Sequence, residues 1–321
     1  MVVHNGASVV HYDPRWAGPH GIGRFSQEVI ARLPGARALR IGVPKLTVLD
    51  LLATSAAAAR LRSGVYFTPG FNPPLRSPVP FVFCIHDLIH LRFAATSTVL
   101  RRAYYRLVVG PAARRAARVL TVSAHSRRDI LDWSGLPEER VTIVGNGVAA
   151  AFHPEGPCHQ PGYPYFLHVG RREAHKNVER LAAAHAASRC GREVRLLFAE
   201  GLDDAQLAAH YRGALALAFP SLHEGFGLPV VEAMACGTPV MTSGTTALAE
   251  TAGEGNALFV DPLSTDSIAA GLDRLAGDQA LRSTLRERGL ARAASFSWDR
   301  VAQRVGEVLT AAAGPARPGR S

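Results

Sequence analysis

One stretch of the chain decides the fold: Phe219–Pro239 reads FPSLHEGFGLPVVEAMACGTP. A short apolar run ends at Pro220, a turn with Gly225 and Gly227 follows, and Pro229 suits the first turn of a new helix. This order of strand, glycine turn and helix is typical of α/β domains with parallel sheets. Because the first backbone N–H groups of a helix have no partner inside it, the turn also predicts a site for an anion.

Two glutamates lie in this stretch, with seven residues between them. Glu224 falls in the turn, and Glu232 projects one helical turn beyond the start of the helix. The alternative interpretation is a capped helix in which the two glutamates only complement the helix dipole. The turn chemistry, the spacing and the flanking strand agree with one another, and together they favour a ligand site.

Apolar runs alternate with helix-length segments along most of the chain, which predicts βαβ units and largely parallel sheets. The predicted strands are Val9–Tyr12, Ala38–Val43, Val65–Phe67, Val79–Ile85, Val119–Val122, Val141–Val144, Tyr165–Val169, Val194–Phe198, Leu215–Phe219, Pro239–Thr242 and Ala257–Val260. The predicted helices are Gly23–Leu33, Ser126–Trp133, Asn177–Ser188, Asp204–Tyr211 and Leu228–Ala235.

A proline- and glycine-rich segment, Phe152–Pro164 (FHPEGPCHQPGYP), interrupts this alternation and predicts a linker between two α/β halves. Ligands of such folds bind beyond the C-terminal ends of the strands, so we expect a site in the cleft between the halves. The apolar spacing of Ser297–Ala312 predicts a final amphipathic helix, and the residues GPARPGRS after it are expected to be disordered.

Composition narrows the class of protein. The 321 residues suffice for two cores, and no apolar run of about 18 residues indicates a membrane span or a signal peptide. Four cysteines form no CxxC pair, which favours reduced thiols in a cytoplasmic protein. The net charge of +10 favours anionic partners, but the arginines are dispersed without an aromatic-basic repeat, so we expect no nucleic acid.

A second informative segment is Val169–Asn177, VGRREAHKN, which joins a predicted strand to a helix. Arg171 and Lys176 could converge on a diphosphate, where two cations would stabilise the departing charge. A basic βα loop by itself is more often a solvated surface. The glutamate pair some fifty residues downstream favours the phosphate site.

Two further segments carry candidate residues in the first half. Gly18–Phe25, GPHGIGRF, places Gly21 and Gly23 between the first strand and the first helix. This segment is interpreted either as a glycine-rich phosphate loop or as only a tight turn. His86 in the sequence CIHDL follows a strand, where it could reach the cleft or be a packed residue.

Together these segments resemble family 4 of the glycosyltransferases, through its Glu-x7-Glu and G-R-x4-K patterns. The resemblance spans nearly the whole chain and implies an α/β fold of the GT-B class, with two Rossmann-like domains and parallel sheets facing a central cleft. It implies an acceptor-side domain over residues 1–155 and a donor-binding domain over 156–296. Residues 297–321 would form a helix crossing back to the first domain and a disordered tail.

The resemblance also assigns roles. In that family the first glutamate, here Glu224, binds hydroxyls of the donor sugar, and the second, here Glu232, binds the ribose. Backbone groups of Phe226, Gly227 and Leu228 would hold the sugar and the phosphates.

The basic pair has the matching role. Arg171 and Lys176 would hold the donor diphosphate. Gly21 and Gly23 would lie near the donor phosphate, and His86 would approach the donor sugar.

The implied activity is a retaining, metal-independent transfer of a hexose, mannose or rhamnose, from a nucleotide-diphosphate sugar to a glycan or lipid-linked acceptor in bacterial polysaccharide synthesis. We expect no cofactor and no metal. GDP-mannose is the first donor to consider. The alternative is a weak or inactive nucleotide-sugar-binding protein that acts as partner of another transferase.

Two features lie outside this pattern. Arg101–Arg118, RRAYYRLVVGPAARRAAR, suggests a peripheral contact with an anionic membrane, or else a solvated helix pair split at Pro111. Near residues 199–204 about one αβ unit of the family is absent, because Val194–Gly201 runs almost directly into the next helix. We therefore expect a weakened pocket for the base, unless Val194–Ala199 takes the edge position of the sheet.

Overall fold

The computed structural model describes residues 9–47, 49–93 and 97–314 of the chain. Most of the C-terminal GPARPGRS, for which disorder is expected, lies outside the described residues. The chain divides into two compact units, Met1–Gly145 with Trp298–Ser321, and Asn146–Ser297. The boundary between Gly145 and Asn146 therefore precedes the proline-rich segment Phe152–Pro164, in which the sequence suggests a linker.

The first unit is built on a parallel sheet. Over the described residues its strands are β1 (Val10–Tyr12), β2 (Arg37–Ala38), β3 (Val65–Thr68), β4 (Phe81–Cys84), β5 (Arg118–Thr121) and β6 (Val141–Ile143). The strand order is β2-β1-β3-β4-β5-β6, and every neighbouring pair is parallel, with Phe67 opposite Val82 near the centre. The central strands β3 and β4 are buried at every residue, and burial on both faces explains why they are mostly apolar.

Helices cover this sheet as the crossovers that parallel strands require. In chain order they are α1 (Gly21–Ala31), α2 (Asp50–Ala59), α3 (Ile89–Arg92), α4 (Val99–Tyr104), α5 (Gly110–Arg115) and α6 (Ala124–Ser134). A π-helical segment, Tyr105–Val109, joins α4 to α5. Ser123 caps α6 by accepting the N–H of Ser126 at 3.0 Å, and Gly135 ends that helix with φ 65°.

Strand β2 is much shorter than the predicted Ala38–Val43. The chain turns away from the sheet after Leu39, because its next residues bind Arg15 instead. The carbonyl of Val43 accepts the Arg15 guanidinium at 2.9 Å, and the Lys45 ammonium donates to the Arg15 carbonyl at 2.7 Å.

The second unit contains a parallel sheet of five strands, counted over the described residues. They are β7 (Tyr165–Val169), β8 (Arg195–Ala199), β9 (Ala216–Phe219), β10 (Val240–Ser243) and β11 (Leu258–Val260), in the order β11-β10-β9-β7-β8. Strand β8 pairs with β7 and forms one edge. The segment near Val194–Ala199 therefore takes the edge position, the outcome that the sequence left open.

Helices pack on both faces of this sheet. They are α7 (Val178–Ala187), α8 (Asp204–Gly213), α9 (Leu228–Ala235), α10 (Thr246–Ala252), α11 (Thr265–Gly277) and α12 (Gln279–Ala293). One apolar cluster includes Leu167 and Phe219 with α8 and α9, and the other includes Phe166 and Ala218 with α7 and α11. The final helix, α13 (Trp298–Ala313), returns to the first unit, where Trp298 contacts Phe25 at 6.3 Å between ring centroids.

The proline- and glycine-rich segment packs along α8 of the second unit. Phe152 is buried against Tyr211, with 5.9 Å between ring centroids. The Arg212 side chain donates to the carbonyls of Pro157 at 2.8 Å and His153 at 3.1 Å. These contacts hold the segment on α8 as part of the unit's structure.

Candidate functional site

The candidate site begins at the C-terminal end of β7, in the loop that leads into α7. Gly170 has φ 118° and Asn177 has φ 60°, so both turn the chain in ways that most residues avoid. The Asn177 amide donates to the carbonyls of Pro220 at 3.0 Å and Pro262 at 2.7 Å. One side chain thus ties this loop to the segments that follow β9 and β11.

Lys176 and Glu224 form an ion pair in this site. The ammonium Nζ lies 2.8 Å from Oε1 of Glu224, and the two side chains are only 15% and 12% exposed. Nζ also lies 4.8 Å from the centroid of the buried Phe219 ring. Two residues that the sequence predicted separately, 48 positions apart, are therefore brought together.

A buried histidine lies close to this pair. His168 on β7 stacks on Phe219 with 5.5 Å between ring centroids. Its Nδ1 donates to the Ala218 carbonyl at 3.0 Å. Burial lowers the pKa of His168 to about 4, although the Ala218 carbonyl and Glu224 act against the shift. The ring is therefore neutral near pH 7 and adds no charge beside Lys176.

Arg171 does not join the ion pair. Its guanidinium is exposed and lies 3.9 Å from Glu200, a loose and equally exposed pair. The neighbouring Arg172 covers the ring of Phe198 at 4.9 Å from its centroid. The structure thus gives the two predicted phosphate-binding cations, Arg171 and Lys176, different partners. The exposed Arg171 side chain would have to rotate for both cations to meet one diphosphate.

The turn before α9 is shaped by Gly227, which has φ 97°. A Cβ atom there would lie 2.5 Å from the Leu248 side chain, so the position requires glycine. Phe226 is buried edge-on to Phe296, and its carbonyl accepts the Thr251 hydroxyl at 2.7 Å. Leu228 then begins α9, and the backbone groups of this turn are held in one conformation.

Glu232 is the fifth residue of α9 and is buried. Its Oε2 accepts the hydroxyl of Tyr211, on α8, at 3.2 Å. Tyr211 is itself fully buried, and the Thr238 hydroxyl donates to its carbonyl at 2.7 Å. The carboxylate therefore has a fixed orientation on a rigid element.

A cavity of about 240 Å³ lies beside β8, at the edge where the sequence lacks an αβ unit. Its lining combines apolar side chains, including Leu197 and Leu202, with Glu200 and His210. Because Glu200 is also the partner of Arg171, the cavity adjoins the basic loop.

The candidate residues of the first unit lie at the start of α1 and after β4. Gly21 and Gly23 belong to the first turn of α1, which begins two residues before the predicted helix Gly23–Leu33. A Cβ atom on Gly23 would lie 2.1 Å from the Gly18 carbonyl, so this glycine allows a close backbone contact. His86 is buried, and its Nε2 donates to the Pro69 carbonyl at 2.8 Å. Burial lowers the pKa of His86, so this side chain is neutral near pH 7.

Sequence reasoning did not single out three residues that shape the site. Asn177 fixes the basic loop, Phe219 supports Lys176, and Tyr211 orients Glu232. Asparagine directly after the lysine was the one available signal, because asparagine tolerates positive φ. The roles of Phe219 and Tyr211 depend on contacts across the sheet, which no local pattern reports.

Comparison with known families supports the expected resemblance. The family model "Glycosyltransferase Family 4" matches residues 4–152, and the model "Glycosyl transferases group 1" matches residues 185–292. The two matches lie one after the other and together cover most of the chain.

Named relatives include mannosyltransferases. The chain is 29% identical over 221 residues to O-antigen chain mannosyltransferase B of Escherichia coli, a match that covers 57% of this chain and 58% of that protein. It is 34% identical over 218 residues to MMP alpha-(1->4)-mannosyltransferase of Mycolicibacterium hassiacum, covering 59% and 53%. The matches thus span little more than half the length of either relative.

Solved structures establish the fold class. Sucrose-phosphate synthase from Thermosynechococcus elongatus superposes with a TM-score of 0.72 at 22% identity, over 93% of this chain and 97% of that one. HepE of Anabaena, solved with UDP-glucose, gives a TM-score of 0.71 at 17% identity, over 95% and 100%. The expected GT-B fold class is therefore confirmed, and from the two family models the chain belongs to family 4 of the group 1 glycosyltransferases.

Proposed function

We propose that this protein transfers a hexose from a nucleotide-diphosphate sugar to a glycan or lipid-linked acceptor, with retention of anomeric configuration, in polysaccharide synthesis. One observation carries the proposal: the partly buried ion pair of Lys176 and Glu224, in the loops that follow β7 and β9. A cation and a carboxylate in contact suit a substrate that has a diphosphate joined to a hydroxyl-rich sugar. The mannosyltransferase relatives make mannose the first sugar to test.

In the proposed reaction, the Lys176 ammonium exchanges Glu224 for the diphosphate. Glu224, released from the ion pair, accepts hydrogen bonds from hydroxyls of the sugar. Arg171 swings from Glu200 to the same diphosphate, since its side chain is exposed and loosely held. Charge that develops on the departing diphosphate then meets two cations and the N–H groups of the α9 turn, which stabilise it without a metal ion.

Glu232 accepts from the ribose hydroxyls in this proposal. Its orientation is set beforehand by Tyr211, so the nucleoside meets an acceptor that needs no rearrangement. In the first unit, burial lowers the pKa of His86, so its imidazole is neutral, and Gly23 allows the close backbone contact with Gly18 at the start of α1.

Hydrolysis of the donor in the absence of acceptor tests the proposal. We would incubate the protein with GDP-mannose, UDP-glucose and dTDP-rhamnose and follow release of the nucleoside diphosphate. Turnover of one donor, lost in Lys176→Gln and retained in the exposed loop variant Arg189→Gln, supports the assignment. The proposal is refuted if no donor is turned over and no nucleoside diphosphate binds.

A second candidate is a nucleotide-sugar-binding protein without turnover, the partner of another transferase. The observation that favours it is the short sheet of the second unit, which ends at β8. Tight binding of a nucleotide sugar with no hydrolysis, and no transfer to acceptor lipid or glycan, would identify this case.

We also propose that the basic segment Arg101–Arg118 meets an anionic membrane surface peripherally. No helix among the described residues is long and apolar enough to cross a bilayer. In the structure this segment contains α4, the π-helical segment and α5, and most of its arginines are exposed. Arginines near a surface of anionic lipids gain electrostatic attraction that salt weakens.

A further inference from the structure

Three leucines of the first unit face water although the chain around them is firmly held. Leu46, Leu49 and Leu52 are 47%, 61% and 62% exposed. Leu46 also has φ 62°, a backbone conformation that an apolar residue with a Cβ atom rarely adopts. Neither the exposure nor the strained backbone is explained by packing inside the unit.

A buried network holds these leucines in place. The N–H of Leu46 donates to Oδ2 of Asp50 at 2.7 Å, and the Thr54 hydroxyl donates to the same carboxylate at 2.8 Å. Arg15 pairs with Asp50 at 2.7 Å, and Asp50 is 1% exposed. Since the carboxylate is buried and satisfied, it fixes the backbone of Leu46 and the start of α2, the helix that carries Leu52.

A second exposed group lies on α4 and the π-helical segment. Val99, Leu100 and Leu107 are 82%, 78% and 70% exposed, while Tyr105 and Val109 of the same run are buried. Three exposed arginines lie between and beside them: Arg101, Arg102 and Arg106. A helical run that buries one apolar face and presents a second one among arginines is typical of an interaction surface.

Both groups attach to one short segment at the end of β3. The Asn72 amide donates to Asp50 at 3.4 Å, next to the three leucines. The Tyr104 hydroxyl, on α4, donates to the carbonyl of the adjacent Phe71 at 3.0 Å. The elements that carry the two exposed groups are therefore both anchored to Phe71 and Asn72, just after β3.

We propose that these two groups form one lipid-docking surface for an anionic bilayer. Leu46, Leu49 and Leu52 enter the boundary between headgroups and acyl chains, together with Val99, Leu100 and Leu107. Arg101, Arg102 and Arg106 meet the lipid phosphates. This inference deepens the proposed membrane contact, and it adds an apolar element, the three leucines near α2, that the basic segment alone does not contain.

The side chains favour a bilayer over a protein or a nucleic acid. Exposed aliphatic residues, with exposed arginines beside those of α4 and the π-helical segment, suit a fluid apolar boundary below a layer of phosphates. Protein interfaces usually centre on aromatic residues, and the exposed apolar residues of this surface are all aliphatic. A nucleic acid would gain nothing from six exposed aliphatic side chains.

Sedimentation with vesicles tests the proposal. Binding of the full chain is measured on phosphatidylglycerol–phosphatidylcholine vesicles and on pure phosphatidylcholine vesicles, at low and at high salt. The variants are Leu49→Gln with Leu52→Gln, and Arg101→Gln with Arg102→Gln. The matched control is Leu263→Gln, which alters a leucine of the second unit that is 69% exposed.

The expected results differ between the variants. Wild type and Leu263→Gln bind anionic vesicles equally, and high salt weakens both. The double leucine variant binds about tenfold or more weakly, because two apolar side chains no longer enter the membrane. The double arginine variant loses about tenfold in affinity and most of the salt dependence.

Three outcomes would overturn the proposal: equal binding by all variants, equal binding to neutral and anionic vesicles, or a wild-type dimer in solution that the leucine variant converts to monomer. The last result would assign the leucines to an interface between copies. Titration with a nucleoside diphosphate keeps this test separate from the proposed activity. Normal nucleotide binding without vesicle binding refutes only the docking surface, and vesicle binding without donor turnover refutes only the transferase.

Discussion

Replacing Glu224 by glutamine should tighten the binding of a nucleoside diphosphate while it slows transfer of the sugar. In the structure, Lys176 already has an anionic partner, the Glu224 carboxylate at 2.8 Å. A diphosphate that binds to Lys176 must therefore displace Glu224. The Glu224→Gln variant removes that competition, and it also removes a negative charge that repels the phosphates.

The size of the effect follows from the geometry. Coulomb attraction at 2.8 Å in an effective dielectric of about 20 is about 6 kcal/mol, most of which is offset by desolvation. The net value of a hydrogen bond to a charged group is about 1.5–3 kcal/mol. At 1.4 kcal/mol for each tenfold change, the nucleoside diphosphate should bind about tenfold to about a hundredfold more tightly.

Calorimetric titration with UDP and GDP measures this change, and donor hydrolysis measures turnover. The control is Glu200→Gln, which breaks the exposed 3.9 Å contact with Arg171. An exposed pair contributes about 0–1 kcal/mol, so the control should change affinity by less than about fivefold. Equal or weaker binding by Glu224→Gln would show that the ion pair does not compete with the diphosphate, and it would refute the exchange of partners.

Four further predictions concern the same unit. Glu232→Gln should weaken nucleoside diphosphate binding by about tenfold or more, because it removes the carboxylate that accepts from the ribose. Tyr211→Phe should weaken it by about fivefold, because it removes the hydrogen bond that orients Glu232. Unchanged affinities in both variants would refute the ribose assignment. Activity should survive excess EDTA, and a loss restored by magnesium would show that a metal carries the charge. Because β8 takes the edge position of the sheet, the pocket for the base should be intact, and one of UDP, GDP and dTDP should bind about a hundredfold or more tightly than the others in comparative titration. Binding of all three within about a hundredfold would show a weakened pocket. His168 should make the protein less stable in acid: its folded pKa of about 4 lies below the ordinary 6.5, so the unfolded chain binds the proton first. The free energy of unfolding should therefore fall by about 2 kcal/mol as the pH drops from about 7 to about 5. Urea unfolding measures this fall, which should be smaller in His168→Phe.

The inner part of each sheet could be predicted from the sequence because burial on both faces leaves a clear apolar run. Tyr165–Val169 is a strand and Leu228–Ala235 a helix with the predicted bounds. Strand β2 could not be predicted in the same way. Its apolar continuation is drawn out of the sheet by Arg15, and no local pattern shows a hydrogen bond to a residue 28 positions away.

The site was predictable in its parts but not in its connections. Glycine turns and basic loops are local features, so Gly227, Lys176 and Glu224 could be named from spacing. That Lys176 contacts Glu224 while Arg171 contacts Glu200 depends on how β7, β9 and β8 lie side by side. The exposed leucines were missed for the opposite reason. Leucine in a sequence predicts burial, and only the hydrogen bond from the Leu46 N–H to Asp50 shows that it is held outward.

The shortened sheet divides the donor site into a part between inner strands and a part at the edge strand β8. Lys176, Glu224 and Glu232 belong to elements around β7 and β9, which have neighbours on both sides. On β8, the N–H of Arg195 donates to the Pro164 carbonyl, and the carbonyl of Ala199 accepts the N–H of Gly170. Because backbone groups alternate in direction along a strand, those of Leu196 and Phe198 point away from β7, toward the open edge. Contacts to the sugar and the diphosphate thus depend on buried, rigid structure, while contacts to the base depend on a strand with a free edge. The two candidate functions therefore differ in what they require of this edge: a transferase needs only the rigid half to stabilise the departing diphosphate, whereas a selective nucleotide-sugar-binding protein needs the edge as well.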